Sequence, residues 1–559
     1  MNCRAILAVM LLTVPVYLLS LTTWVGKVGR NWSYPGNWDT GVVPDSTTDV
    51  VIPAGTEYSP EDENSKCRDL TIDKGATMTI RRFKHTVMGD LNCSGMLVLG
   101  TTRSSTVSLI VKGDINFLEG SKAIDAIFTQ ISCYGNMMIA PKAEIMLSSG
   151  SFSFAGPGNS TFTNHSSFTR FSRLNSCKKT PGSFTISEAC TKEFSIGQYY
   201  SNAPGCLSYN QYNGPIFLYG GISDQNDRGE GGGIMWDAGA LVMINHNASI
   251  NIGGKGSYLH DLYISGIHPG KVILCNDLKL MGIMAFEGVN CFDAGDKTLS
   301  IAGDWINRVG ESAFSEGTST VRFIGNEPNS FNLSSTPTEV FYNLEIDKPE
   351  GRVVIDNGAG ITCQNYNWTS GGIEVVDGSF TALNLVDKGI WGDYTCSIRG
   401  RIDLNVDDRV PGSADICGKI DLRGGIMTIK TGNALSSWPG EGGSTLLISR
   451  GILFIDGKGI NILAPSDRRL SYVITGGTIR TSGDLVCNNP EFNPPKGHVS
   501  LTGSENTLLD MQAGSLNHLI VSKTHSHDVC ELGSDLICKE EPTLVKGRLD
   551  LKGFSVRKK

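Results

Sequence analysis

The chain lacks most of the short signatures that announce chemistry. It has no Cys-x-x-Cys pair, which argues against a zinc site. It has no Gly-x-Ser-x-Gly elbow for a serine nucleophile. Its glycine-rich runs lack the Lys-Ser/Thr that closes a phosphate loop, so they read as turns. It also lacks a basic excess. The net charge of −8 argues against nucleic acid, whose binders carry a basic patch or stripe. Past the N-terminal stretch there is no window of about 18 apolar residues, so no membrane span is expected.

Glycine, in contrast, is plentiful, at 67 of 559 residues. It punctuates short Val/Ile/Leu/Thr runs, the texture of many strands joined by tight turns. The N-terminus reads as a secretory signal over residues 1–21. Arg4 supplies the positive end, Ala5 to Leu19 is mostly apolar, and cleavage is expected around Ser20 to Thr22. Removing the signal leaves fourteen cysteines, an even number that permits disulfides in an exported chain. Several fall inside strand patterns (Cys275, Cys363, Cys417, Cys487, Cys538) and can face inward as small apolar residues. Cys177, Cys190 and Cys206 sit in a less regular region, where a disulfide is more plausible.

The chain repeats itself. Val321 to Gly325 is followed by a polar passage, then Phe341 to Lys348 and Arg352 to Ile355. Val499 to Gly503 is followed in the same way by Leu516 to Lys523. Ile250 to Gly254, then Leu259 to Ser265, is a looser copy. Gly89-Asp90, Gly113-Asp114 and Gly135-Asn136 succeed one another at 24 and 22 residues, and the pair returns at Gly303-Asp304 and Gly483-Asp484. Such a unit cannot bury its own apolar face and must stack on its neighbours. Rungs of about 22 to 24 residues with Gly-Asp corners suit an all-β parallel β-helix, Gly and Asn tolerating the left-handed backbone that corners need.

The expected organisation is a Trp-rich cap at 22–60, first rungs at 61–149, an irregular insertion or enlarged loops at 150–245, and solenoid repeats at 246–559. The last strand pattern, Gly547 to Gly553, has no cap after it. Either a terminal domain is missing, or Arg557, Lys558 and Lys559 protect the edge with charge.

Trp24, Trp32 and Trp38 have two readings: a cap over the first rung, or a ligand-binding surface that stacks on sugars. Asp224, Asn226, Asp227 and Glu230 lie in a Gly-rich loop and supply oxygen ligands for calcium, although the EF-hand pattern fails with Arg228 and Met235 at ligand positions. No other cofactor is indicated. Asp403, Asp407 and Asp408, flanked by Arg399, Arg401 and Arg409, form the one acidic cluster that stands out. On a strand Asp403, Asp407 and Arg401 share a face, where paired carboxylates act in glycosidases and where Arg401 simply pairs with them. His525 and His527 alternate and would share a strand face, two imidazoles without a third ligand.

The entry motif Trp24, Asn31-Trp32, Gly36-Asn37-Trp38, Gly41-Val42-Val43-Pro44, Asp49-Val50-Val51-Ile52-Pro53 resembles the start of large secreted β-solenoid surface proteins of the Bacteroidota. So do the units Val321 to Ile346 and Val499 to Val521. The resemblance covers most of the chain outside 150–245. It implies a right-handed parallel β-helix at or beyond the outer membrane, with adhesive or scaffolding roles and extracellular glycan or cell-surface protein partners. No segment resembles the small sorting domain that often ends such proteins. The expectation is therefore a secreted or surface adhesin or scaffold without catalysis. The alternative is a carbohydrate-active β-helix enzyme, a lyase or glycosidase, with acids and bases converging in one groove.

Overall fold

A computed structural model describes the chain apart from residues 1–19, 63, 101–105, 127–128, 179–181, 202–206, 225–232, 245–246, 255, 267, 334–337, 386–388, 407–414, 438–442 and 464–469. The proposed signal therefore falls almost wholly outside the described residues. The fold is an all-β parallel solenoid of about 20 turns. It divides into two compact units, one running to Gly197 and one made of the short segment from Gln198 and the stretch Leu207–Lys559.

Alternation in the sequence becomes alternation of burial. Val107–Val111 buries every second residue, as does Thr77–Ile80. Parallel pairing then places like on like in successive rungs. In the first unit one inward column runs Val50, Leu70, Leu91, Ile115, Met137, Phe162, Ile186. All seven are buried. In the second, Val353, Ile373, Tyr394, Ile420 and Leu446 do the same. Burying such a side chain fully is worth about 1.5–3 kcal/mol, so these columns dominate the stability. The register offsets Leu91 to Ile115 and Ile115 to Met137 reproduce the 24- and 22-residue spacing read in the sequence.

The Gly-Asp corners have a packing cause. Asp69 Oδ1 accepts the Asp90 amide at 2.9 Å, Asp90 Oδ1 that of Asp114 at 2.8 Å, and Asp114 Oδ1 that of Asn136 at 2.7 Å. Each carboxylate sits against the glycine of the next rung. A Cβ on Gly89 would lie 1.9 Å from Asp69 Oδ1, and one on Gly113 would lie 2.1 Å from Asp90 Oδ1. Neither glycine has a positive φ. This corrects the expectation of left-handed corners at these pairs: glycine is there to make room.

Two further expectations change. In the two closer copies of the repeat the two strands stack directly, Val321 on Leu344 and Val499 on Leu519, one rung apart. The looser copy does not do this, because Asn247–Asn251 pairs with Gly270–Leu274 while Asp261–Ile264 pairs with Ala240–Met243. The segment 150–245 was expected to project as an irregular insertion or enlarged loops, yet its described strands join the same parallel ladders. Ser151–Gly156 pairs with Arg173–Lys178, Ser160–Phe162 with Phe184–Ile186, and Ile216–Leu218 with Leu241–Met243. Its polar composition is accommodated inside. Ser160 Oγ donates to the Tyr134 carbonyl and Asn164 Nδ2 to the Ser166 carbonyl, while Phe154 and Phe184 stack at 4.4 Å.

The strand-pattern cysteines split. Cys363, Cys487 and Cys538 are buried, Cys417 is half-buried and Cys275 is exposed, since it follows the strand Gly270–Leu274 rather than lying in it. Burial pushes the Cys93 and Cys133 thiols up to about 12, and those of Cys396, Cys487, Cys530 and Cys538 up to about 11. They are packing residues in the thiol form. Cys190 is also buried, its sulfur accepting the Asn164 amide, and Cys206 lies outside the described residues.

Candidate functional site

Three lysines point into the solenoid. Lys178 and Lys348 are 0% exposed and Lys523 is 2% exposed, which is rare for lysine. Their surroundings match. Lys178 Nζ donates to the Ala155 carbonyl at 2.7 Å, Lys348 Nζ to that of Ile324 at 2.9 Å, and Lys523 Nζ to that of Thr502 at 3.0 Å. Each of those carbonyls immediately precedes a glycine in the left-handed region: Gly156 at φ 85°, Gly325 at 83°, Gly503 at 84°. The carbonyl before the glycine turn lies within reach of the buried lysine. The lysine of the next rung donates to it, so the buried carbonyl is satisfied.

A second acceptor completes each corner. Lys178 also donates to the Tyr134 carbonyl at 3.1 Å, Lys348 to Asn329 Oδ1, and Lys523 to the Glu505 carbonyl at 2.7 Å. Burial lowers the pKa of Lys348 to about 8, and that of Lys523 falls for the same reason.

The backbone that leaves the Lys348 and Lys523 corners carries two surface sites of the second unit. After Lys348, residues Pro349, Glu350, Gly351 and Arg352 form one wall of a cleft of about 220 Å³. Gly371, Gly372 and Ile373 lie in the next rung, and Asp393, Thr395, Lys419 and Arg423 beyond. The small residues at 351, 371 and 372 keep the cleft open between long charged side chains. Its cations are partnered. Arg352 reaches Glu374 at 2.7 Å, and Asp421 receives both Lys419 at 3.1 Å and Arg423 at 3.0 Å. The cleft is a polar slot suited to a hydroxylated or charged chain. Sequence reasoning missed it, because its members come from four successive rungs.

After Lys523, residues Thr524 to Asp528 form a turn before the strand Val529–Leu532. His525 and His527 sit on this turn, not on a strand as their alternation suggested. Their rings stack at 5.2 Å, 18° from parallel. Asp528 is buried beneath them. Its Oδ2 accepts the His525 backbone amide at 2.7 Å and lies 3.2 Å from His525 Nδ1, while its Oδ1 lies 3.5 Å from His527 Nε2.

The other sequence candidates fare differently. Trp24, Trp32 and Trp38 are buried, at 0%, 1% and 2% exposure. Trp38 packs edge-on against Trp24 at 5.1 Å and Trp32 at 4.6 Å. Trp24 Nε1 donates to the Tyr58 carbonyl and Trp38 Nε1 to the Trp32 carbonyl. No ring face is left for a sugar, which corrects the stacking surface and leaves these residues as packed core. Of the calcium candidates the structure describes Asp224 alone; Asn226, Asp227 and Glu230 lie outside the described residues. Asp224 is fully buried, its carboxylate taking the Gly253 and Gly254 amides at 2.9 and 2.7 Å and the Ser257 hydroxyl at 2.7 Å. Asp403 is held by Arg401 at 2.5 Å, and Arg399 reaches Asp377 at 3.5 Å. Asp407, Asp408 and Arg409 lie outside the described residues.

No helix among the described residues is long and apolar enough to cross a membrane. Comparison of the chain with protein-family models, with curated proteins and with solved structures finds no match.

Proposed function

We propose that this chain is a secreted or cell-surface solenoid of the kind its entry motif resembles in the Bacteroidota, acting as a non-catalytic scaffold or adhesin. The observation that carries the reading is how its outer charges are spent. Many of them run along the ladder as ion pairs between successive rungs: Lys122 with Glu144 at 2.8 Å, Lys142 with Glu119 at 2.7 Å, Arg308 with Glu287 at 2.6 Å, Arg322 with Glu345 at 2.9 Å. An enzyme acting on polysaccharide would gather its acids and bases in one groove. Dispersed pairs contribute about 0–1 kcal/mol each and keep a long sheet surface soluble and unsuited to edge or face aggregation.

A second reading, a carbohydrate-active enzyme, is favoured by one feature, the cleft between Arg352 and Arg423 with Glu350 and Asp393 on its lining. A polysaccharide-degradation screen run beside a glycan array on the purified protein separates the two. The scaffold reading expects no turnover, with any binding weakened by Lys419→Ala or Arg423→Ala. Degradation of any polymer that Glu350→Gln or Asp393→Asn abolishes would overturn it.

A further inference from the structure

The turn after Lys523 brings together what the sequence alone left incomplete. Two imidazoles and one carboxylate place a donor atom each within 4.8 Å of one another. All three come from the tetrapeptide His525-Ser526-His527-Asp528. The two contacts, 3.2 Å from His525 Nδ1 to Asp528 Oδ2 and 3.5 Å from His527 Nε2 to the other oxygen, Oδ1, lie close to the ligand-to-ligand edge of about 3.3 Å that metal–nitrogen bonds of about 2.0–2.1 Å give in a tetrahedron.

The carboxylate is fixed independently of any ligand. Asp528 is 4% exposed, its Oδ2 held by the His525 amide and its backbone carbonyl by the Arg548 amide at 2.9 Å. The imidazoles stand above it, with 54% and 79% of their side chains exposed. A buried, oriented carboxylate under two exposed, stacked imidazoles is one face of a coordination sphere with its remaining positions open to water. Nitrogen donors select against calcium and magnesium, which take oxygen, and favour the later first-row divalent ions.

We propose that His525, His527 and Asp528 form a binding site for one divalent transition-metal ion of the zinc, nickel or copper type. The ion bridges the turn, replacing the His–Asp contacts with three coordinate bonds and leaving one or more positions for water or an exogenous donor.

The test uses the full chain stripped with chelator and titrated with zinc chloride by calorimetry, and with cobalt chloride followed by its visible absorption. The expected result is saturable binding near one equivalent and no heat from calcium at the same concentrations. His525→Ala and His527→Ala remove exposed side chains and leave the fold intact. Since loss of a mere outer partner costs about 10–100-fold in affinity, each should weaken binding at least that much, and the pair should abolish it. His498 and His518 touch at 2.9 Å on neighbouring rungs and are the internal control. His498→Ala with His518→Ala should change nothing. Absence of saturable binding in the native chain, or binding that survives His525→Ala with His527→Ala, would overturn the proposal.

Discussion

The loops that follow Lys348 and Lys523 leave the same corner and arrive at different chemistry. In both, a lysine turns inward and caps the carbonyl before a left-handed glycine. After Lys348 the chain runs through Pro349 and Glu350 to Arg352 and walls a polar cleft. After Lys523 it runs through His525 and His527 to Asp528 and gathers three metal-type donors. What is held constant is the interior solution. What varies is four or five exposed residues on a backbone whose exit is already fixed. That is how a repeat architecture separates stability from recognition: each rung contributes a nearest-neighbour term, and surface loops change without disturbing it.

The comparison can be broken most forcefully at the corner. Lys348→Ala leaves the Ile324 carbonyl and Asn329 without their donor and opens a void, so the unfolding free energy should fall by about 2–4 kcal/mol. Arg352→Ala, four residues later, removes a half-exposed ion pair and should cost less than about 1 kcal/mol in the same urea titration. Equal effects would mean the corner is not special.

The Gly-Asp corner offers the next largest effect. Gly113→Ala drives a Cβ to 2.7 Å from the Gly89 backbone as well as into the Asp90 carboxylate, and should destabilise by about 1–3 kcal/mol. Gly89→Ala is milder, because its Cβ meets only the end of the Asp69 side chain below 3.0 Å. Gly89→Ala and Asp69→Ala each remove the same carboxylate-to-amide bond, so each should cost about 1 kcal/mol and the double variant little more than either. Full additivity would refute the idea that the glycine exists to seat the aspartate.

A further effect is one of pH. The folded-state pKa of Lys348, about 8, lies below its ordinary value of 10.5. Between those values the unfolded chain binds more protons than the folded one, so the lysine's contribution to stability rises with pH through that window. A neutral amine keeps two N–H donors, enough for both acceptors. The difference in unfolding free energy between the native chain and Lys348→Met should therefore shift toward the native chain from pH 8 to pH 10. A flat difference would place the lysine's pKa near its ordinary value.

Much of the scaffold was legible in the sequence because its signals are local. Rung length followed from Gly89, Gly113 and Gly135, since each glycine is demanded by the aspartate one rung before it. Two of the three repeat copies were real because their inward residues share a column. The lysine corners were not read. A charged residue in an alternating strand reads as exposed, and only the recurrence of Gly followed some 20 residues later by Lys, as at Gly325 with Lys348 and Gly503 with Lys523, carried the signal. The three tryptophans were seen as a cluster, but density alone could not say which way the rings face. The third metal donor was hidden by the strand reading, which places His525 and His527 on one face and sends Asp528 to the other. The turn removes that constraint.

The division between corner and loop is tested most directly by urea unfolding of the full chain in chelator, comparing Lys523→Ala with His525→Ala/His527→Ala. The account predicts a clearly lowered midpoint for Lys523→Ala and an unchanged one for the double histidine variant. A destabilised histidine variant beside an unaffected Lys523→Ala would contradict it.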